Sequence, residues 1–316
     1  MKQHVEVSII IPTDQPGLHL PKLLDAMLAQ TTGPDELVVV NSSVDGVSGG
    51  LNRDLPITVV RIPPGSFDHG RARNLGAKQS NGQVLVFLTH DALPASNDWL
   101  ERLIEPLKAD GEVAAVYGRQ VPRHDASPLE AFARSFNYGD EPMVKGRIDI
   151  PRLGIKTFFF SNVCSAIRRS AFEEVGGFPE PIIMNEDMAL ATKLIAANYR
   201  IAYEPRAAVI HSHAYSLRQQ FNRYFDIGIF FGSNRWIRSV APLHGEGWSF
   251  LKGQLRFLIS RGEWRWISYA FLEAVIKYAG LQLGIRARLF PRSFRKKLSF
   301  HKQFWLQDSC RVKLKE

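Results

Sequence analysis

Short apolar runs alternate with amphipathic stretches through the first half of the chain. Val5–Ile11 is a strand-forming run that stops at Pro12. Glu36–Val40, Ile57–Ile62, Val84–Leu88 and Val113–Tyr117 repeat it between turn-rich segments such as Asn41–Pro56. Runs of this length bounded by turn residues read as buried strands. Between them, Leu20–Gln30 sets Leu23, Leu24, Met27 and Leu28 on one helical stripe, and Gly70–Gln79 and Trp99–Leu107 also read as helices. Strands alternating with helices predict crossover units, hence an α/β fold with a mostly parallel central sheet and helices on both faces.

The periodicity then fades. Pro122–Gly154 is polar and irregular and reads as a long excursion over the sheet edge, where substrate contacts are often carried. Apolar structure resumes at Thr157–Val163, with Phe158–Phe160 expected in the core. A helix is expected from Asn185 or Glu186 to Ala197, then short strands at Ile201–Tyr203 and Ala207–Ile210. Beyond Tyr215 the chain turns helical, aromatic and basic, ending with Arg286, Arg288, Arg292, Arg295, Lys296, Lys297 and Lys302. The expected division is a sheet domain over 1–233 and a helical, basic appendage over 234–316.

Composition narrows the class. With 316 residues, 45% hydrophobic and 22% charged, the chain can bury a sizeable core. A net charge of +9, from 40 Lys+Arg against 31 Asp+Glu, suits anionic partners such as nucleotide diphosphates or lipid head groups. Cys164 and Cys310 stand far apart and imply neither a disulfide framework nor a cysteine-based zinc site, which favours a reducing compartment. The N-terminal residues lack the pattern of a signal peptide. Trp266–Ile285 is the most apolar late stretch, but Glu273 and Lys277 interrupt it, which argues against a membrane span. A cytoplasmic protein, soluble or peripheral on the inner face of the membrane, is expected.

Parallel sheets bind ligands at the carboxyl ends of their strands. The first strand ends in Ile11-Pro12-Thr13-Asp14, with no GxGxxG behind it and no GxxxxGK[ST] anywhere, so dinucleotide and P-loop modes are disfavoured. The fourth ends in Leu88-Thr89-His90-Asp91-Ala92. An Asp leaving a buried strand either caps the next turn or holds a divalent ion. Mg²⁺ or Mn²⁺ suits such hard oxygen ligands and shares the phosphates of a substrate.

Here the chain resembles a known family. Val7-Ser8-Ile9-Ile10-Ile11-Pro12-Thr13, followed by the Asp-bearing end of the fourth strand, is similar to the nucleotide-binding half of family 2 glycosyltransferases. Phe67-Asp68-His69-Gly70-Arg71-Ala72-Arg73-Asn74 and Leu88–Ala92 resemble the rhamnosyltransferase branch. So do Tyr117-Gly118-Arg119-Gln120, Phe136-Asn137-Tyr138, Phe160-Ser161-Asn162, Cys164-Ser165-Ala166, Gly176-Gly177-Phe178, Asn185-Glu186-Asp187 and His211-Ser212-His213. The resemblance runs from about Val5 to Ser233. It implies a GT-A type nucleotide-diphospho-sugar transferase fold and a divalent cofactor, Mg²⁺ or Mn²⁺. Two departures stand out. The family's Asp-x-Asp metal motif begins here with Thr89, leaving Asp91 alone. The second strand ends in Asn41 instead of an Asp that touches the base. An amide both donates and accepts, so Asn41 can still meet a base edge, and Asp45 is the remaining acid of that loop.

Sugar transfer with inversion needs a base for the acceptor hydroxyl and charge neutralisation on the departing diphosphate. Glu186-Asp187 opens a helix, where acidic residues are favoured in any case. By resemblance Asp187 is the base, and Glu186 supports it or the acceptor. His211 and His213 alternate on extended chain and so share a side. Either they are structural, or, as the resemblance implies, one completes the metal site of Asp91 or touches the donor phosphates. His69 and His90 stand near the site or hydrogen-bond its loops. The resemblance marks Pro12, Thr13, Asp14, Asn41, Asp45, Arg73, Asn74, His90 and Asp91 for the donor. It marks Arg119, Gln120, Gly177 and Phe178 for the acceptor edge. Arg73 otherwise reads as a surface arginine.

The segment Trp248–Trp305 mixes large apolar side chains with Lys and Arg, a composition that lays amphipathic helices on anionic bilayers; a solvated basic face or a homodimer contact is the plainer reading. Together these features predict an inverting transferase moving L-rhamnose from dTDP-L-rhamnose to a saccharide or lipid-linked saccharide in surface-polysaccharide synthesis. The alternatives are a family 2 enzyme using a UDP- or GDP-sugar, and a non-catalytic membrane-associated binding protein prompted by Thr89. Nucleic acid is disfavoured as a partner for want of any motif.

Overall fold

The computed structural model describes residues 6–14, 17, 19–43, 55–240 and 245–306. Asp45 and Cys310 lie outside these residues. The strands are β1 (Val7–Thr13), β2 (Glu36–Asn41), β3 (Ile57–Arg61), β4 (Val84–Leu88), β5 (Leu93–Pro94), β6 (Val113–Val121), β7 (Met143–Lys145), β8 (Cys164–Arg168) and β9 (Arg200–Ile210). They form one sheet in the order β3-β2-β1-β4-β8-β6-β9-β5, with β7 also paired to β9. β1, β2, β3 and β4 pair in parallel, as do β6 and β9. β8 runs antiparallel to both β4 and β6, so β4 and β6 keep the same direction.

Alternation along the strands sorts the core into two layers. Ile10, Val38, Val40 and Phe87 face α2 (His69–Lys78), α6 (Arg169–Glu174) and α7 (Glu186–Ala196). Ile9, Ile11, Val39, Val86 and Leu88 face α1 (His19–Leu28) and α3 (Trp99–Ala109), whose Leu23, Leu24, Met27, Trp99 and Leu103 close the other side. The expected α/β architecture with helices on both faces is present.

Three local expectations change. The excursion at Pro122–Gly154 contains α4 (Pro128–Asn137), β7 and the short α5 (Ile150–Leu153). Ser127 caps α4 by accepting from the Glu130 N–H at 3.3 Å, with Pro128 in the first turn, a start signal that polar surroundings obscured. The apolar stretch Thr157–Val163, given no element from sequence, opens inside a tight turn. The buried Lys145 donates its Nζ to the carbonyls of Lys156 (2.8 Å) and Phe159, holding Gly154–Phe158 as a 3₁₀ turn, and the strand begins at Cys164. The two late strands are one, β9, with an irregularity: Gly118 pairs with Glu204 but Arg119 with Ala208. The close approach needs glycine, since a Cβ on Gly118 would sit 2.2 Å from the Ala207 carbonyl oxygen.

The remaining helices are α8 (Leu217–Ser233), α9 (Arg235–Val240), α10 (Glu246–Ser260), α11 (Arg265–Ile285) and α12 (Arg292–Leu298). α8 and α11 pack backbone to backbone through glycines. A Cβ on Gly284 would lie 2.0 Å from the Phe225 carbonyl oxygen, and one on Gly228 2.4 Å from that of Leu281. The basic C-terminal helices are therefore bolted onto α8. None of the described helices is long and apolar enough to cross a membrane.

Candidate active site

The carboxyl ends of β1, β4, β6 and β9 open onto one cleft of about 1180 Å³. There the structure brings together Asp91, His211 and His213, each offering one ligand atom within 4.8 Å of the others. Asp91 Oδ2 lies 3.6 Å from His211 Nε2 and 3.4 Å from His213 Nε2. Those spacings approach the edge of about 3 Å that metal–ligand bonds of about 2.1 Å give in an octahedron. The tautomer of His211 is constrained from behind. Its Nδ1 stands 3.0 Å from Gln120 Oε1, so Nδ1 carries the proton and Nε2 presents a lone pair to the cleft. Gln120 is held in turn by Arg134 Nη1 (2.6 Å), Ser161 Oγ (2.8 Å) and the Tyr138 hydroxyl.

Charge follows the same logic. Burial alone raises the Asp91 carboxyl, but in acid, where the histidines carry protons, the hydrogen bond and charge from His211, with His90 and His213, outweigh it and hold Asp91 well below the usual carboxylate range. Burial lowers His211, and burial with the neighbouring His211 brings His213 down to about 4. Near neutrality one carboxylate and two neutral imidazoles thus converge on a point. Such a donor set fits a divalent cation, and its two nitrogens favour Mn²⁺ over Mg²⁺.

Across the cleft, α7 begins with two adjacent carboxylates in opposite states. Glu186 is buried, 3.1 Å from Arg73 Nη1. Burial raises it, but the Arg73 and His69 charges win and it is lowered. Arg73 is itself buried, not a surface residue, and also donates to the His69 carbonyl at 3.1 Å. Asp187 reaches the cleft and forms no ion pair among the described residues; its Oδ1 accepts from the Met188 N–H at 2.7 Å. Burial, then the charge of Glu186, raises it well above an ordinary aspartate. A carboxylate of raised basicity at a cleft wall can accept a proton from a bound hydroxyl.

The loop before α7 is fixed by α2. Asp68 caps α2 with one oxygen on the Arg71 N–H (2.9 Å) and holds the Ile182 N–H with the other (3.0 Å). The Asn74 amide pairs with both the N–H and the carbonyl of Phe178, each at 2.9 Å. Gly177 must be glycine there: its φ is +62°, and a Cβ would sit 2.8 Å from Asn74 Oδ1.

These contacts relocate several expected site residues. Asn74, Gly177 and Phe178 are the clamp that aims α7; Phe178 is core, packed edge-on to Phe87, because the loop must be anchored before Asp187 can point. Arg119 turns away from the cleft to pair with Asp140, since alternation sends it opposite to Gln120, which does line the cleft. Pro12, Asp14, Arg73, His69 and His90 line the cleft. Thr13 and Asn41 are buried just behind it, and the Asn41 Nδ2 has no partner among the described residues. Arg134, Asn162 and Arg223 also line the cleft and had no role assigned from sequence. Asn162 stood in a segment that carried the family resemblance, whereas nothing along the chain singled out Arg134 or Arg223.

The model of glycosyl transferase family 2 matches residues 8–176. The O-antigen chain rhamnosyltransferase RfbN of Salmonella typhimurium is 41% identical over 304 residues, spanning 95% of this chain and 96% of that protein. The chain belongs to glycosyl transferase family 2. A second O-antigen chain rhamnosyltransferase, WbaN of Salmonella anatum, is 40% identical over 94% of this chain and 95% of its own. Among solved structures, the mannosyltransferase PcManGT of Pyrobaculum calidifontis, in complex with GDP-Man and Mn²⁺, superposes with a TM-score of 0.59. The match is 20% identical and covers 98% of this chain and 89% of that one. S. aureus TarS 1–349, in complex with UDP-GlcNAc, gives 0.54 at 15% identity over 95% and 88%. These two establish the GT-A type fold.

In this glycosyltransferase the C-terminal segment is part of the cleft wall, which the sequence did not announce. Asp226 of α8, fully buried, accepts through Oδ2 from Ser299 Oγ (3.0 Å), the Phe300 N–H (2.9 Å) and the His301 N–H (3.0 Å). This draws His301 to 5.1 Å from the His69 ring and Phe300 to 5.7 Å from Tyr215. Replacing Asp226 with Ala strands the buried Ser299 hydroxyl and two partly buried N–H groups, a buried unsatisfied group costing about 1–3 kcal/mol. Asp226→Ala is therefore expected to lower the urea midpoint and to make the chain near Ser299 markedly more sensitive to limited proteolysis. Wild-type resistance to the protease would contradict the clamp.

Proposed function

We propose that this glycosyltransferase is an inverting rhamnosyltransferase, moving L-rhamnose from dTDP-L-rhamnose to a saccharide or lipid-linked saccharide in surface-polysaccharide assembly. The observation that carries the reading is the identity of about two residues in five to RfbN and WbaN along nearly the whole of each chain. The site supports it with chemistry of the required kind. Asp187 takes the proton of the acceptor hydroxyl while that oxygen bonds to the anomeric carbon, and the bond to the diphosphate breaks on the opposite face. Glu186, held ionised beside Arg73, keeps Asp187 basic through its charge. Asp91, His211 and His213 would hold the divalent ion, which supplies charge neutralisation on the departing diphosphate. Pro12, Asp14 and His90, with Asn41 toward the base, form the donor side. A base of this kind contributes about 10²–10⁴-fold.

Two assignments extend this reading. Residues 1–233 form the GT-A type transferase domain, and the helical, basic appendage over 234–316 meets the inner face of the membrane. The outer face of α11 exposes Trp264, Phe271, Val275 and Tyr278 (46–65% exposed) at helical spacing. Arg261 and Arg265 flank it on one side and Arg286 and Arg288 on the other, all exposed, a pattern suited to an anionic bilayer.

Four measurements test these assignments. Asp187→Asn is expected to lower kcat at least about 100-fold without weakening donor binding; an unaltered rate would remove Asp187 as base. Because Asp187 works unprotonated and its pKa is raised, kcat/KM should fall as pH drops through a value above the usual aspartate range. In a thermal-shift series, dTDP-L-rhamnose with Mn²⁺ should stabilise the protein more than UDP- or GDP-sugars with Mn²⁺, a ligand at 100 times its Kd adding about 2.7 kcal/mol. Asp91→Asn should erase the metal-dependent part, and a uniform lack of shift would sink the donor assignment. Finally, the paired change Phe271→Glu with Val275→Glu should reduce co-sedimentation with phosphatidylglycerol vesicles; equal partitioning would defeat the membrane contact.

A further inference from the structure

α11 carries a second surface, turned away from its exposed apolar stripe. Trp266, Tyr269, Glu273 and Lys277 are spaced three, four and four residues apart, which places them on one helical face, and all four line the cleft. Glu273 Oε1 accepts from Gln220 Nε2 of α8 at 3.1 Å, and Glu273 Oε2 lies 3.1 Å from Lys277 Nζ. The two side chains are only 8% and 17% exposed. Lys277 Nζ stands 5.5 Å from the Tyr224 ring. The indole of Trp266 meets Tyr269 edge to face at 5.7 Å, and its N–H has no partner among the described residues.

A sheltered ion pair adds little stability over apolar side chains of the same size, so this one calls for another explanation. A carboxylate and an ammonium side by side offer an acceptor and donors to adjacent hydroxyls. An aromatic face beside them packs against the C–H face of a ring. Together these are the elements of a saccharide site. The cleft also has room for one: its volume of about 1180 Å³ exceeds the usual 300–1,000 Å³ range for a single small ligand.

We infer that the inner face of α11, with Gln220 and Tyr224 of α8, is an acceptor subsite. It holds the sugar next to the one bearing the attacking hydroxyl, and so sets which glycan ends are extended. The inference rests on the transferase reading of the cleft. It is tested with dTDP-L-rhamnose, Mn²⁺ and a panel of octyl glycosides, each supplied as a monosaccharide and as a disaccharide ending in the same sugar. The unaltered enzyme should prefer a disaccharide, by kcat/KM. Trp266→Ala should cut that ratio about tenfold, in the range of a buried aromatic anchor, Trp266→Phe should restore most of it, and Glu273→Gln should lower it without removing a ring. A ratio, unlike a rate, is insensitive to general loss of active protein. No preference in the unaltered enzyme, or an unchanged ratio in both Trp266→Ala and Glu273→Gln while donor is still consumed, overturns the subsite alone. No release of dTDP from the donor by any form, with or without acceptor, overturns the transferase reading and the subsite with it.

Discussion

Everything at the cleft depends on strand direction. β8 enters between β4 and β6 antiparallel to each, and two reversals in series leave β4, β6 and β9 pointing the same way. β5, just beyond Asp91, then pairs antiparallel with the end of β9, Leu93 against Ile210, so Asp91 and His211 meet at one end of the sheet. The register irregularity at Gly118 adds to it, since it shifts β9 against β6 where Gln120 must come level with His211. The proposed metal triad thus joins residues 120 positions apart through backbone pairing.

The adjacent carboxylates of α7 illustrate how environment divides labour. Glu186 and Asp187 differ by one methylene, yet one is paired with a buried guanidinium and the other is left with burial and a like charge. The first is pushed toward permanent ionisation and the second toward proton exchange. The Asn74 and Asp68 clamps give this contrast a fixed direction, since they join the loop before α7 to a helix on the opposite side of the sequence.

Much of this was legible along the chain because it rests on local signals. The first four strands, the helix after Asn185 and the spacing of His211 and His213 all follow from periodicity. Asp91 and Asp187 followed from strand and helix ends combined with family resemblance. What escaped reading depends on partners distant in sequence. Nothing near Lys145 indicates that its ammonium will cap a turn a dozen residues later. Arg119 and Gln120 look equivalent until β6 is given a facing. Asn74 and Phe178 read as contacts for substrate when they are contacts for each other. The return of Phe300 and His301 to the cleft depends on one buried carboxylate, Asp226, which lies in a helix that looks merely amphipathic.

The glycine seam between α8 and α11 bears on how such enzymes can diverge. Because the two backbones touch at Gly228 and Gly284, a side chain on either helix at those points displaces both, and neither can be inherited independently of the other. α8, from Leu217, and α11 therefore change together, across the proposed boundary at Ser233. Recombination at Ser233 would pair mismatched halves of a packed surface. Recombination just before Leu217 would transfer the helix pair, the Asp226 clamp and its dependent wall as one heritable block.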